Sequence, residues 1–408
     1  MTVNEIYQSG LKLLENNNIE NSKFEAQSLL QKAFSLDRVG FIIHKTDKAD
    51  ENCSHNFLNF IERRISGEPL QYILGEWSFM GFDFKVGRGV LIPRDDTEVV
   101  VNLCIDFLKN RADKKTVDLC SGSGAIAVAL DKISGAKVTA VEIDETAFSY
   151  LETNVKENNS SVKPVMADAL KICDTFADGG LDLIVSNPPY SIKWEGSDNG
   201  TLINDPRFSP AGVLAPKSKA DFAFIMHCLS WLATDGTAAI VCFPGIMYRS
   251  GAEQKIRKYL IDNNFIECII QLPDNLFYGT SIATCIMVLK KSKVDNQTLF
   301  IDASKEFIKS TNSNKLGDGT ASNEPNNIQN ILNAYINRKT EKHFTALVKQ
   351  KDIENADYNL SVSTYVESED TREAIDIAVL NKQISEIVQR ENTLRAEIDA
   401  IIAEIEEA

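Results

Sequence analysis

From residue 116 onward the chain repeats one unit: a short apolar run, a turn rich in glycine or acid, then a stretch of helical period. The apolar runs are Thr116–Leu119, Lys137–Val141, Lys163–Met166, Leu181–Ser186, Thr237–Phe243, Ile266–Gln271 and Thr284–Leu289, and helices are predicted over 123–133, 145–157, 220–233 and 250–262. This alternation leaves few folds open. A helix between two strands returns the chain to the end it started from, so the strands pair in parallel. Runs that are apolar at nearly every position need cover on both faces. The expectation is an α/β domain over 96–300, opened by a helix near 96–109, with a mostly parallel, seven-stranded sheet between two helical layers.

The flanks read differently. Ile6, Leu11 and Leu14, then Phe24, Ala26, Leu29, Leu30 and Ala33, recur at helical spacing, so 1–69 is predicted to be a small helical domain that ends at Gly67-Glu68-Pro69. Over 70–95 the period changes to two, with Phe79, Phe82, Phe84, Val86, Val90 and Ile92 alternating around Gly81 and Gly87-Arg88-Gly89, which predicts a β-hairpin connector. Residues 301–372 read as polar loop with a helix near 326–339. Over 373–408, Ile377, Leu380, Ile384, Ile387, Leu394, Ile398, Ile401 and Ile405 keep a three-four spacing with Glu391 in the seam. That pattern predicts one long coiled-coil helix, folded back or paired with a partner.

Charge and cysteines narrow the function classes. The net charge is −15, and residues 366–408 hold twelve Asp/Glu against four Lys/Arg, a balance of −8. The phosphate term that sustains unaided DNA binding is therefore weak, and a nucleic-acid substrate calls for a more basic partner. The eight cysteines form no C-x-x-C pair and the four histidines are scattered, so a metal site is not expected and reduced thiols fit a cytoplasmic protein. No run of about 18 apolar residues reads as a membrane span, and the first twenty residues lack the basic start and apolar core of a secretory leader.

The chemistry sits at strand ends. Asp118-Leu-Cys-Ser-Gly122-Ser-Gly124 follows the first strand, and its glycines allow a cofactor close to the backbone. Taken alone it also suits a plain strand–helix turn. Glu142 ends the second strand, where an acid can take ribose hydroxyls, and Asp168 follows the third, where it can accept from an adenine amino group. The loop is no Walker A, having no Gly-Lys-Ser/Thr, and Ala127 stands where a dinucleotide loop has its third glycine. Asn187-Pro188-Pro189-Tyr190 follows the fourth strand. A planar amino nitrogen is a poor nucleophile because its lone pair is delocalised. Two acceptors, the Asn187 side-chain oxygen and the Pro188 carbonyl, can hold its N–H bonds and localise that pair, while Tyr190 stacks on the planar group. With a good leaving group on the methyl donor, positioning suffices. Trp194 and Phe208 suit either a substrate groove or the core. Lys217, Lys219, Arg249 and Arg257 suit solvated charges or phosphate contacts.

On these residues the chain resembles the class I methyltransferases, and two families in succession. Residues 1–190 resemble release-factor glutamine methyltransferases through Gly67-Glu68-Pro69, Gln71-Tyr72, Gly75, Phe79, Phe84, Leu91-Ile92-Pro93-Arg94-x-Asp96-Thr97-Glu98, the Asp118–Gly124 loop and Asn187–Tyr190. Residues 187–408 resemble the modification subunit of type I restriction–modification systems. The carriers are Asn187–Trp194, Asp205–Phe208, Leu214–Phe224, Gly236–Val241, Arg249–Arg257, Leu272–Thr280 and Asp357–Leu360. The two meet at Asn187–Tyr190, as in a fusion. The resemblance implies S-adenosylmethionine as cofactor, held by Arg94, Thr97, Asp118, Gly122, Gly124, Glu142, Asp168 and Asn187, with Asn187, Pro188, Pro189 and Tyr190 as the catalytic residues. The type I likeness implies N6-methylation of a flipped adenine in duplex DNA, in company with a specificity subunit. The other likeness implies N5-methylation of a glutamine in a peptide chain release factor. An inactive hybrid or cofactor-binding assembly protein is the third reading.

Overall fold

The computed structural model describes the chain except at residues 20, 110, 112–113, 173–179, 277–282, 310–313, 318, 320–323, 369–376 and 407–408. It divides into two units, 1–367 and 368–408. Cys173, Phe277, Gly279 and Thr280, the middle of the Ser/Asn/Gly-rich stretch and the first turn of the predicted terminal helix lie outside the described residues.

Helices α1 (Val3–Asn16), α2 (Ser22–Phe34), α3 (Arg38–His44), α4 (Glu51–Ile65) and α5 (Leu70–Leu74) form the N-terminal domain. Thr2 and Glu5 cap α1 reciprocally, the Thr2 N–H donating to Glu5 Oε2 at 2.8 Å and the Glu5 N–H to Thr2 Oγ1 at 3.2 Å. Leu14, Leu29, Leu30, Phe57 and Ile61 make its core. Arg64 and Glu25 are paired inside it at 2.6 Å. The expected connector opens with the short helix α5, and its hairpin follows as β1 (Glu76–Phe79) and β2 (Phe82–Lys85), antiparallel with Trp77 opposite Phe84.

The α/β domain runs α6 (Asp95–Leu108), β3 (Lys115–Leu119), α7 (Ala125–Ser134), β4 (Lys137–Glu142), α8 (Glu145–Glu157), β5 (Lys163–Met166), β6 (Leu181–Ser186), α9 (Asp221–Trp231), β7 (Leu232–Cys242), α10 (Ala252–Asp262), β8 (Ile266–Gln271) and β9 (Cys285–Lys290). It continues through β10 (Gln297–Asp302), a two-residue ribbon β11 (Ile308–Lys309) and β12 (Asn314–Lys315), α11 (Asn327–Asn337), β13 (Thr345–Lys349) and α12 (Gln350–Asn355). The sheet order is β13-β10-β8-β9-β7-β6-β3-β4-β5, with β3 parallel to both β4 and β6, and β9 antiparallel to β7 and β8. All seven predicted strands are present. The sheet is wider than predicted, because β10 and β13 extend it past β8 and it does not end near residue 290. Both lie beyond the strand–helix repeat, in a polar stretch where a short apolar run has no flanking helical period to mark it. One apolar layer, with Phe222, Trp231 and Phe300, covers one face of the sheet; another, with Val99–Val101, Leu108 and Ala127–Leu130, covers the other.

The second unit holds helix α13 (Ile377–Glu406). Leu380, Ile384, Ile387, Leu394, Ile398 and Ile401 on it are all exposed. No described helix is long and apolar enough to cross a membrane.

Candidate functional site

The strand order reverses at β3, with β4 on one side and β6 on the other. Loops leaving the carboxyl ends of these strands diverge there and leave a crevice, the usual ligand position in an open α/β sheet. Here the crevice is a cavity of about 880 Å³.

Its floor is the turn after β3. Cys120, Gly122 and Gly124 have φ of 62°, 55° and 80°, so the chain coils tightly before α7 begins. A Cβ on Gly124 would sit 2.4 Å from Leu151 Cδ1, whereas one on Gly122 would meet only Val90 Cγ2 at 4.0 Å. Gly124 therefore lets the turn pack against α8 and does not line the cavity, while Gly122 keeps the cavity side open. Asn154 of α8 is fully buried. Its amide donates to Ser123 O (2.9 Å) and Lys85 O (3.0 Å), and its oxygen accepts from the Lys85 N–H (2.6 Å), tying the hairpin to the turn. Nothing in the sequence pattern marks this residue.

The acids divide by environment. Glu142 ends β4 and is buried. Its Oε2 accepts from the Gly122 N–H (2.8 Å), and its Oε1 from the N–H groups of Ile143 (2.8 Å) and Asp144 (3.0 Å). Asp168, after β5, is half-buried on the lining, with Oδ1 accepting from the Leu170 N–H at 2.9 Å. Asp118 is fully buried. Burial pushes its carboxyl up to about 8, and it does not line the cavity. Of the residues expected to hold a cofactor, Asp118 and Gly124 are therefore absent from the cavity lining; the one supports the turn and the other packs it against α8.

Asn187–Tyr190 forms the wall after β6. Ser186 Oγ donates to Leu119 O at 2.9 Å, which holds the ends of β6 and β3 side by side. The Tyr190 hydroxyl donates to Asn187 Oδ1 at 3.1 Å, and all four residues line the cavity. Arg94 and Thr97, at the start of α6, line the cavity as well. Trp194 and Phe208 join core and cavity: Phe208 is buried in a core cluster, the rings lie 5.3 Å apart, and both reach the lining. Phe224, the end of the Leu214–Phe224 segment that carries the type I resemblance, also lines it, as does Ile143, which was not singled out from sequence and is marked only by the acid before it.

Of the cations read as solvated charges or phosphate contacts, Arg257 departs from both expectations, while Lys217 is an exposed charge. Arg257 is buried and donates to Tyr358 O and Ile246 O, both at 2.8 Å, so it is unavailable to a phosphate. Arg249 lies 3.6 Å from Glu253 and over the Phe243 ring, and Lys217 lies 3.3 Å from Asp198. His227 is buried, both ring nitrogens have no hydrogen-bond partner among the described residues, and burial lowers it to about 3, so it is neutral. Among the described residues no cluster of His, Cys, Asp and Glu suits a metal.

The cavity fits a nucleoside cofactor: an open glycine turn, a carboxylate at the β4 end and a second at the β5 end lie along it, and the Asn187 wall leaves a planar group room beside them. Comparison with known proteins gives two matches of different reach. The N-6 DNA Methylase family model matches residues 92–374, and the PrmC N-terminal domain model matches residues 5–75. A type I restriction enzyme MpnII methylase subunit of Mycoplasma pneumoniae is 39% identical over 338 residues, covering 79% of this chain. The chain spans 61% of that relative's length. A release factor glutamine methyltransferase of Clostridium botulinum is 30% identical over 276 residues, 65% of this chain and 92% of that protein. Among solved structures, the type I restriction-modification system methyltransferase subunit from Streptococcus thermophilus superposes with a TM-score of 0.64 at 26% identity, over 89% of this chain and 80% of that one.

Proposed function

This chain belongs to the N-6 DNA methylase family and carries the N-terminal domain found in release factor glutamine methyltransferases, and on that premise we propose that it methylates adenine N6 in DNA with S-adenosylmethionine as cofactor. The observation that carries this reading is the Asn187–Tyr190 wall at the end of β6, facing the Gly122 turn and the Glu142 carboxylate across one cavity. The cofactor would supply an electrophilic methyl group on a sulfonium leaving group. Gly122, Glu142 and Asp168 would hold its nucleoside, with Arg94 and Thr97 closing the other side. Asn187 Oδ1 and the Pro188 carbonyl would accept the two N–H bonds of the target nitrogen. The Tyr190 hydroxyl occupies one of the two lone pairs on Asn187 Oδ1, which leaves the other for that task. A base inside a duplex cannot reach this wall, so the target adenine must be flipped out of the stack to lie on the Tyr190 ring.

Sequence choice would rest with a specificity subunit. The chain is at −15 overall, and α13 exposes an apolar seam interrupted by Glu391, features that suit coiled-coil pairing with a more basic helix in the cytoplasm. A second reading, N5-methylation of a release-factor glutamine, is favoured by the match of residues 5–75. Tritiated cofactor offered with duplex DNA, with DNA plus specificity subunit, with release factor and with none separates these readings. Label in DNA only when the specificity subunit is present supports the proposal. Label confined to the release factor overturns it, and label in nothing indicates an inactive hybrid.

A further inference from the structure

The segment Leu214–Phe224 lies next to the Asn187–Tyr190 wall and has no part in the reading above. Its contacts explain how that wall is held. Ser191, directly after Tyr190, has φ of 52°, a left-handed conformation in which its Cβ crowds the backbone. Such a residue persists only where its surroundings over-determine it. The Ser191 N–H donates to Asp221 Oδ1 at 3.2 Å. Asp221 is buried and opens α9, whose Phe222, Ile225 and Trp231 are packed in the core, so its carboxylate has little freedom to move. Three further bonds join the same two segments: the Ala220 N–H to Ile192 O (2.8 Å), the Trp194 N–H to Lys217 O (3.0 Å) and the Trp194 indole N–H to Pro216 O (3.1 Å).

We infer that Asp221 is a positioning residue: its Oδ1 locks the left-handed turn at Ser191 and thereby sets the direction in which Asn187 and Pro188 present their acceptors. The other three bonds hold the chain beyond the turn, whereas Asp221 alone of the four grips the residue that makes it. The clamp uses an acceptor and not a charge. The Ser191 N–H needs only an oxygen at 221, which the side-chain amide of asparagine also supplies.

The test uses the full chain and four variants. Asp221→Ala deletes the acceptor, Asp221→Asn keeps it, Ser191→Gly makes the left-handed turn freely accessible, and the fourth combines Asp221→Ala with Ser191→Gly. Hydrogen exchange over 187–195 and cofactor affinity are measured beside methyl transfer. The clamp predicts that Asp221→Ala loses exchange protection at Ser191–Trp194 and at least tenfold in turnover, with cofactor affinity within threefold of the parent. Asp221→Asn stays within threefold on every measure, and the double variant regains at least threefold of the lost turnover. A residue that merely stabilised α9 would give no rescue by glycine at 191. Parental exchange and turnover in Asp221→Ala, a fall in Asp221→Asn as deep as that of Asp221→Ala, or absence of the glycine rescue each overturns the inference. The turnover arm rests on the methyl-transfer reading; the exchange arm does not. If the parent labels no substrate, that reading fails, and exchange decides alone: protection lost in Asp221→Ala and kept in Asp221→Asn supports the clamp, and equal protection overturns it.

Discussion

Replacing Glu142 by alanine weighs one specific contact, and the structure sets its size. A carboxylate has about four acceptor positions. Three are used by the N–H groups of Gly122, Ile143 and Asp144, which leaves one, on Oε2, for the cofactor. Glu142 should therefore give the ribose one charge-assisted hydrogen bond and not two. Such a bond is worth about 1.5–3 kcal/mol, which corresponds to roughly 10- to 150-fold in affinity. Glu142→Ala should weaken S-adenosylmethionine binding within that range in titration calorimetry, on a chain shown by circular dichroism to be folded. Glu142→Gln should not restore affinity, because it turns an NH₂ toward a backbone N–H whichever way its amide lies. A change below threefold would refute the ribose contact. A loss beyond about 1,000-fold in a folded chain would refute the count of acceptor positions, since it needs a second contact.

Two further outcomes follow from the same site. In the proposed reaction Asn187→Ala removes an acceptor on the reacting nitrogen, so turnover should fall by about 10²–10³, or ~2.7–4 kcal/mol, with cofactor affinity within threefold; near-parental methyl transfer in a labelling assay would contradict that role. The Asp118 carboxyl has an ordinary value of 3.8 and is raised to about 8 by burial. Between these values the folded chain keeps a proton that the unfolded chain has lost, so this group makes stability fall as pH rises from about 4 to 8 and adds no further slope above. Asp118→Asn should remove that contribution, and its melting temperature should gain on the parent's steadily from pH 5 to pH 8; parallel melting curves would count against a protonated Asp118.

The sequence by itself determined the sheet and the order of its chemistry. Thr116–Leu119, Lys137–Val141 and Leu181–Ser186 are runs of β-forming residues broken by glycine or acid, and such runs have one stable use between helices. Since functional loops leave the carboxyl ends of parallel strands, strand order alone brings Gly122, Glu142, Asp168 and Asn187 to one edge of the sheet, and all four line the same cavity. The outer strands β10 and β13 were not legible, because they lie beyond the strand–helix repeat that marks equally short runs such as Lys163–Met166, and they are defined by the neighbours they pair with. Nor could spacing separate Gly122 from Gly124, or Asp118 from Glu142. One of each pair faces the cavity and the other faces the protein interior, and only the packing of Leu151 and the burial of β3 decide which. The same holds for Arg257, which reads as a solvated charge until Ile246 and Tyr358 close over it, and for Asp221, whose partner lies 30 residues away in the chain. Local propensity and period act over a few residues and are written in the sequence. Burial, hydrogen-bond partners and the direction of a side chain depend on segments that meet only when the chain is folded.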